Sequence, residues 1–191
     1  SLLLGAALAG LTLPPLPARA QARQAQPSYA TYAAAMEAGA RLLARKKQSD
    51  ARAAFEAAEK LAGKPDEKAD ALMGVARSEI SPSVARGKYQ EAEKLEGISR
   101  EKQAEATMGV AETFAAERKP EAAREVYTRL IDDPGSSVAT RAAAMIGRGG
   151  ALLKSSFISP NNANVALKDL TDALKLEGVP DAQKADALLL I

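Results

Sequence analysis

The heptapeptide ALMGVAR, residues 71–77, returns nearly unchanged as ATMGVAE, residues 106–112, 35 positions further along the chain. A catalytic loop needs no second copy of itself. A stacked structural unit does, because each unit must pack against a neighbour of its own shape. The duplicated heptapeptide therefore predicts a chain built from repeated helical units.

The composition favours helices along the whole chain. Of the 191 residues, 47% are hydrophobic but only 4% are aromatic, and Trp is absent, so a core must be built from Ala, Leu, Val, Ile and Met. Alanine-rich runs such as residues 51–59 favour helix, because Ala loses no side-chain entropy there. Clusters of β-branched residues are scarce. We therefore expect an all-α fold.

Two residue types that carry much of enzyme chemistry are missing, since Cys and His occur at none of the 191 positions. Their absence excludes thiol nucleophiles, Ser-His-Asp triads, CxxC redox centres and the commonest zinc and haem ligands. The acidic pairs Glu56/Glu59 and Asp132/Asp133 fit a solvent-exposed face better than paired catalytic carboxylates, because nothing fixes a second carboxylate across a cleft. We expect no enzyme activity, no cofactor and no metal.

Charge is spread evenly, with 26 basic and 24 acidic residues and a net charge of +2. A nucleic-acid-binding surface needs a basic stripe, usually with aromatic side chains that stack on bases. Neither is visible in the sequence, so we expect no nucleic-acid partner.

Residues 1–22 have the pattern of a secretory signal peptide with a truncated n-region. An apolar run from Leu2 to Leu13 precedes a Pro-rich break and two Ala-x-Ala sites, which would allow cleavage after Ala20 or Ala22. The run is shorter than the roughly 20 residues that span a bilayer, and no Cys follows it for lipid anchoring. A polar leader, residues 23–28, comes next. We expect an exported protein without a transmembrane span in the mature chain; the alternative is a buried N-terminal helix or a disordered leader.

From residue 29 onward, helical segments of about 12 to 18 residues alternate with helix breakers. The pattern predicts helix-turn-helix units in series. The breakers are Gly63-Lys64-Pro65, Ser81-Pro82-Ser83, Gly97, Lys119-Pro120, Pro134-Gly135, Ser159-Pro160 and Gly178-Val179-Pro180.

Each unit combines a first helix rich in small residues with a second helix of fixed pattern. Offsets of four and three place the small, large and small residues of the second helix on one face. Mid-helix Gly costs about 1 kcal/mol relative to Ala, so we expect the glycines of the first helices to permit close backbone contact with a partner helix. The second-helix patterns are Ala51-x3-Phe55-x2-Ala58, Ala85-x3-Tyr89-x2-Ala92, Ala123-x3-Tyr127-x2-Leu130 and Ala166-x3-Leu170-x2-Ala173, and the small residues lie at 74–76, 109–111 and 147–149.

These patterns resemble the tetratricopeptide repeat family, whose unit is 34 residues of two antiparallel helices. The resemblance covers residues 29–191 as about four repeats and the start of a fifth, because 180–191 echoes 65–75 before the sequence stops. It implies a right-handed α-solenoid that is incomplete at its C-terminus. Three features depart from the family: Trp is absent, Ser81-Pro82 cuts short the first helix of the second repeat, and Ser155 to Asn164 form an inserted loop.

The resemblance implies that first helices line a concave surface on which a partner peptide or helix binds. The chaperone-binding members use a clamp of Lys, Arg and Asn, but Asn occurs here only at 161, 162 and 164, so that role is disfavoured. Residues 123–149 are also similar to exported bacterial repeat proteins that serve envelope assembly. We therefore expect a periplasmic or cell-envelope protein.

Alignment of Ala76 and Ala111 with the small residue of the family's first helix predicts which side chains face the partner. Met73 and Met108 can equally be gap-filling core residues, which we favour. Arg77 and Glu112 can form an exposed or inter-repeat ion pair, which we also favour over a ligand clamp. The candidate partner-binding residues are Asp70, Met73, Arg77, Glu105, Met108, Glu112, Leu153 and Lys154.

The leading functional hypothesis is a non-enzymatic scaffold that binds a protein or peptide partner. One alternative is the helical accessory region of a larger exported enzyme. Another is self-assembly, because uncapped ends of a repeat stack expose apolar surface and can associate.

Overall fold

A computed structural model describes residues 28–154 and 159–191 of the chain. Every regular element in these two ranges is an α-helix, so the predicted all-α fold is confirmed. The predicted signal peptide, 1–22, and all but Ser28 of the leader lie outside the described residues. The helices are α1 (Tyr32–Ala44), α2 (Gln48–Leu61), α3 (Pro65–Ser78), α4 (Pro82–Glu93), α5 (Arg100–Ala116), α6 (Pro120–Asp132), α7 (Val138–Leu153), α8 (Pro160–Lys175) and α9 (Asp181–Leu188).

The helices form a solenoid with two rows. Each helix packs against the next along the chain, and the odd-numbered helices α1, α3, α5, α7 and α9 also contact one another in order. Among the described residues, the even-numbered helices make no such contacts with each other. The odd-numbered helices therefore form a close inner row, and the even-numbered helices form a more widely spaced outer row, as in a helical repeat stack.

Prolines mark where helices begin. Pro65, Pro82, Pro120 and Pro160 each occupy the first position of a helix, where the missing N–H has no intrahelical partner to lose. Ser81-Pro82 begins α4, and α3 ends before it at Ser78, four residues after Gly74. The expected shortening of α3 is confirmed, because α3 has 14 residues against 17 in α5 and 16 in α7.

The expected inserted loop of the fourth repeat is partly helix. Residues 155–158 lie outside the described residues, but Ser159 caps α8 and its Oγ accepts a hydrogen bond from the Asn162 N–H at 3.1 Å. A loop over 159–164 is therefore wrong, and the three asparagines lie in the first turns of α8. The physical reason is the cap followed by Pro160, a helix-start signal that outweighs the polar composition.

The turn between α1 and α2 has no glycine or proline. Lys46 adopts the left-handed conformation, with φ of 59°, and the Lys47 N–H donates to the Leu42 carbonyl at 3.0 Å. This closure is the usual glycine-type helix end, made here by a lysine, and Arg118 repeats it after α5 with φ of 57°. A search for glycine and proline therefore misses the first of these turns.

The second-helix pattern lies in the core, because all twelve of its small and large positions are at most 8% exposed. The ring of Phe55 lies between two glycines: a Cβ added to Gly39 or Gly74 would lie 2.6 or 2.5 Å from it. Tyr89 covers Gly109 in the same way, and Tyr127 covers Gly147. The expected close approach is present. The rings contact the helix backbone of the next unit at Gly74, Gly109 and Gly147, and Phe55 also contacts Gly39 of its own unit.

The fourth unit replaces the ring by Leu170 and adds a buried ion pair. Nε and Nη2 of Arg148 each donate to a carboxylate oxygen of Asp169 at 2.7 Å, and Nη1 donates to Thr128 Oγ1 at 2.7 Å. Asp169 is only 4% exposed. A bidentate, charge-assisted contact of this kind is strong and directional. Together with the hydrogen bond to Thr128, it links α6, α7 and α8.

The ring–glycine contact predicts opposite effects for the same substitution at two helical glycines. Gly109→Ala places a methyl group inside the space of the Tyr89 ring and should lower the free energy of unfolding by about 2 kcal/mol. Gly87→Ala, where nothing lies within 4 Å of the added Cβ, should raise it by about 0.5–1 kcal/mol through helix propensity. Urea denaturation followed by circular dichroism measures both; equal effects would contradict the contact.

The buried ion pair predicts a loss that a second substitution repairs. Asp169→Ala leaves the largely buried Arg148 side chain, 16% exposed, without its carboxylate partner and should lower the free energy of unfolding by about 3 kcal/mol. The double variant Arg148→Met/Asp169→Leu should recover most of this loss in the same denaturation experiment. A double variant as unstable as the single one would show that the charges themselves stabilise the fold.

Candidate functional site: the groove along the inner row

The inner row bounds an open groove with two parts that meet at Glu112. The first part, between α3, α5, α7 and α9, has a volume of about 430 Å³, and the second, between α5, α7 and the C-terminal segment, about 590 Å³. Small residues such as Ala143, Gly147 and Gly150 face the groove. Because their side chains are short or missing, the inner face is recessed and the rings of Tyr89 and Tyr127 reach the groove from the outer row.

Most of the predicted partner-binding residues lie together in this groove. Five line its first part and Lys154 lines the second. Asp70 and Leu153 line neither part. Asp70 pairs with Lys102, which also pairs with the groove residue Glu105. The five residues of the first part are Met73, Arg77, Glu105, Met108 and Glu112.

The two methionines have different surroundings. Met73 has no exposed surface and belongs to the main core cluster with Leu72 and Tyr89. Met108 is half-buried and packs against the same cluster from the groove side. The packing interpretation therefore holds for Met73, which lies beneath the groove, whereas Met108 can meet a ligand.

Four charged side chains of α3 and α5 neutralise one another at one edge of the groove. Lys102 Nζ lies 2.6 Å from Asp70 Oδ1 and 3.1 Å from Glu105 Oε2. Glu105 Oε1 in turn lies 3.6 Å from Arg77 Nη1. We call these residues the edge network.

The favoured pairing of Arg77 with Glu112 is wrong, because Arg77 pairs with Glu105. Side chains on a helix tilt toward its N-terminus. The long Arg77 side chain therefore reaches the earlier carboxylate of α5, and an inter-repeat ion pair forms with a different acidic residue.

Glu112 is a carboxylate without an ion-pair partner among the described residues. Its side chain is exposed, yet it lies in the recess between the two parts of the groove. Loss of hydration there raises the pKa of the Glu112 carboxyl above its usual 4.5, and the nearby Arg77 opposes this only in part. The charged form of Glu112 is therefore disfavoured in the folded protein.

Among the groove residues that were not predicted from the sequence, three have a charged or amide side chain: Glu101, Gln183 and Asp186. Two of them had a signal. Glu101 precedes Glu105 by one helical turn and shares its face. Asp186 corresponds to Asp70 when 180–191 is aligned with 65–75, because both aspartates are followed by Ala-Leu. No sequence signal pointed to Gln183, because its place in the groove depends on how α9 packs.

Comparison of the chain with protein-family models, with curated proteins and with solved structures finds no match in any of the three. In the part of the chain that the structure describes, no group of three or more His, Cys, Asp or Glu side chains is placed to hold a metal ion. No helix in the same part combines the length and apolarity needed to cross a membrane.

Glu112 predicts a pH-dependent gain from a neutral replacement. Because the folded state raises the pKa of Glu112, its charge lowers stability above that pKa, and Glu112→Gln should raise the melting temperature at pH 7. The gain should disappear below about pH 4, where the carboxyl is protonated in both folded and unfolded states. Thermal unfolding across this range tests it, with Glu125→Gln in α6 as the control. A gain that persists at low pH would contradict dehydration of the charged carboxylate as its cause.

Proposed function

We propose that this protein is a non-enzymatic interaction scaffold that binds a peptide or helix of a partner protein in the groove. The observation that carries the proposal is the groove itself: an open, recessed surface that runs across several units and combines apolar and charged side chains. Such surfaces suit extended peptides or amphipathic helices, which are held by apolar anchors and oriented by charges. The resemblance to tetratricopeptide repeats supports the same role.

We also propose that the protein acts outside the cytoplasm, in the bacterial periplasm or cell envelope. Support comes from residues 1–22, whose apolar run and Ala-x-Ala sites follow the pattern of export signals. The similarity of residues 123–149 to envelope-assembly repeat proteins points the same way.

Site-specific photo-cross-linking in the producing cells tests the scaffold role. A benzoylphenylalanine at Met108 or at Ala143 faces the groove from α5 or α7, and both positions should trap the same partner. The same group at Gln90 or Lys168, exposed positions on outer-row helices, should not trap it. Circular dichroism confirms that each variant is folded.

The mass of the adduct separates the possible outcomes. Adducts at Met108 and Ala143 that share one partner of another mass support the scaffold. An adduct with the mass of two copies of this chain would indicate self-assembly instead. Equal adducts at inner and outer positions, or none at the inner ones, would contradict groove binding.

A further inference from the structure

We propose that the groove binds a basic polypeptide segment, whose lysine or arginine side chains pair with the carboxylates around Glu112 while a neighbouring apolar side chain enters the second part of the groove. The inference rests on the proposed scaffold role and specifies the chemistry of the partner.

The first step is the charge of the groove. Of the charged residues, only Arg19 and Arg23 lie outside the described ranges. The described residues therefore carry 24 basic and 24 acidic side chains and are neutral as a whole. The edge network is neutral too, because it contains two cations and two carboxylates. The other charged groups of the groove are three carboxylates, Glu101, Glu112 and Asp186, and a single cation, Lys154. The groove therefore carries a net charge of −2, although the described residues as a whole are neutral.

The second step is the spacing of the carboxylates. Glu101, Glu105, Met108 and Glu112 follow one face of α5 at offsets of four, three and four residues. At 1.5 Å per residue, Glu101 and Glu112 are about 16 Å apart along the helix. An extended peptide covers that distance in about five residues. Two cations at this separation can meet both carboxylates, and an apolar side chain between them meets Met108.

The third step is the apolar space next to Glu112. The second part of the groove, about 590 Å³, is lined by Tyr127, Ile146 and Leu190, with Gly147 and Gly150 between them. Its volume accommodates a large apolar side chain. A ligand that places a cation at Glu112 can therefore place its next apolar side chain in this space, and burial there adds affinity that charge alone does not supply.

Two polar groups in the first part of the groove favour a ligand that carries hydrogen-bond donors over one that carries acceptors. The Oε1 atom of Gln183 is buried without a hydrogen-bond partner among the described residues, and the residue lines this part. Glu112 is partly dehydrated there, and a bound cation would stabilise its charged form. An acidic peptide or a nucleic-acid backbone would instead meet three carboxylates without cation partners, and like charges across an interface are repulsive.

Selection from a display library of random peptides of about twelve residues, an extended length well beyond the 16 Å stripe, tests the inference without a known partner. The immobilised full chain should enrich peptides with paired Lys or Arg residues and an apolar residue nearby. Binding of a selected peptide, measured by fluorescence polarisation, should fall at least about fivefold in Glu101→Gln/Glu112→Gln and should weaken with added salt. The control Glu96→Gln/Glu125→Gln removes two exposed carboxylates that do not line the groove and should leave binding unchanged.

Enrichment of acidic or uncharged peptides, or of none, would overturn the basic-segment proposal. Equal loss in the groove and control variants would also overturn it, because binding would then depend on net charge alone. The photo-cross-links at Met108 and Ala143 separate this failure from failure of the scaffold role. If they persist, only the partner chemistry is wrong; if they are also missing, groove binding itself is wrong.

Discussion

The contact between an aromatic ring of one unit and a glycine of the next determines how this chain stacks. A glycine has no Cβ, so the ring of Phe55, Tyr89 or Tyr127 can lie directly on the backbone of a neighbouring inner-row helix. The flanking alanines of the second helix are buried in the same interface. Because this core contains few aromatic side chains, each buried ring supplies a large share of the apolar area removed from water between two units. The packing of each unit on the next therefore depends on small residues at fixed positions of the inner-row helices.

The groove is a second consequence of the same small residues. Gly109 and Gly147 accept a ring from the outer row and also face the groove, where Tyr89 and Tyr127 line its wall. Packing and binding surface therefore cannot be changed independently at these positions. Charge is arranged differently, since Asp70 and Arg77 are neutralised within the edge network whereas Glu112 has no such partner among the described residues. Carboxylates left unpaired in a recess reduce stability, as is common where a surface serves binding.

The repeat pattern was enough to predict the helical class and the buried positions of the second helices, whereas the five predicted residues that line the first part of the groove came from the resemblance to tetratricopeptide repeats. Periodicity succeeds there because it reports which face of a helix is apolar. It does not report how far a long side chain reaches, so Arg77 was assigned to the wrong carboxylate. It also does not report pairing across helices, so buried Asp169 was not foreseen. Polar composition alone made 159–164 look like a loop, although its serine and proline begin a helix.

The most direct measurement is the coupling free energy between Tyr89 and Gly109, obtained by urea denaturation of Tyr89→Ala, Gly109→Ala and the double variant. If the ring is what excludes a Cβ at position 109, Gly109→Ala should destabilise the native chain. In the Tyr89→Ala background it should be neutral or stabilising by up to about 1 kcal/mol, the helix-propensity gain. The same loss in both backgrounds would show that the ring does not require the glycine, and the explanation of the stacking would be wrong.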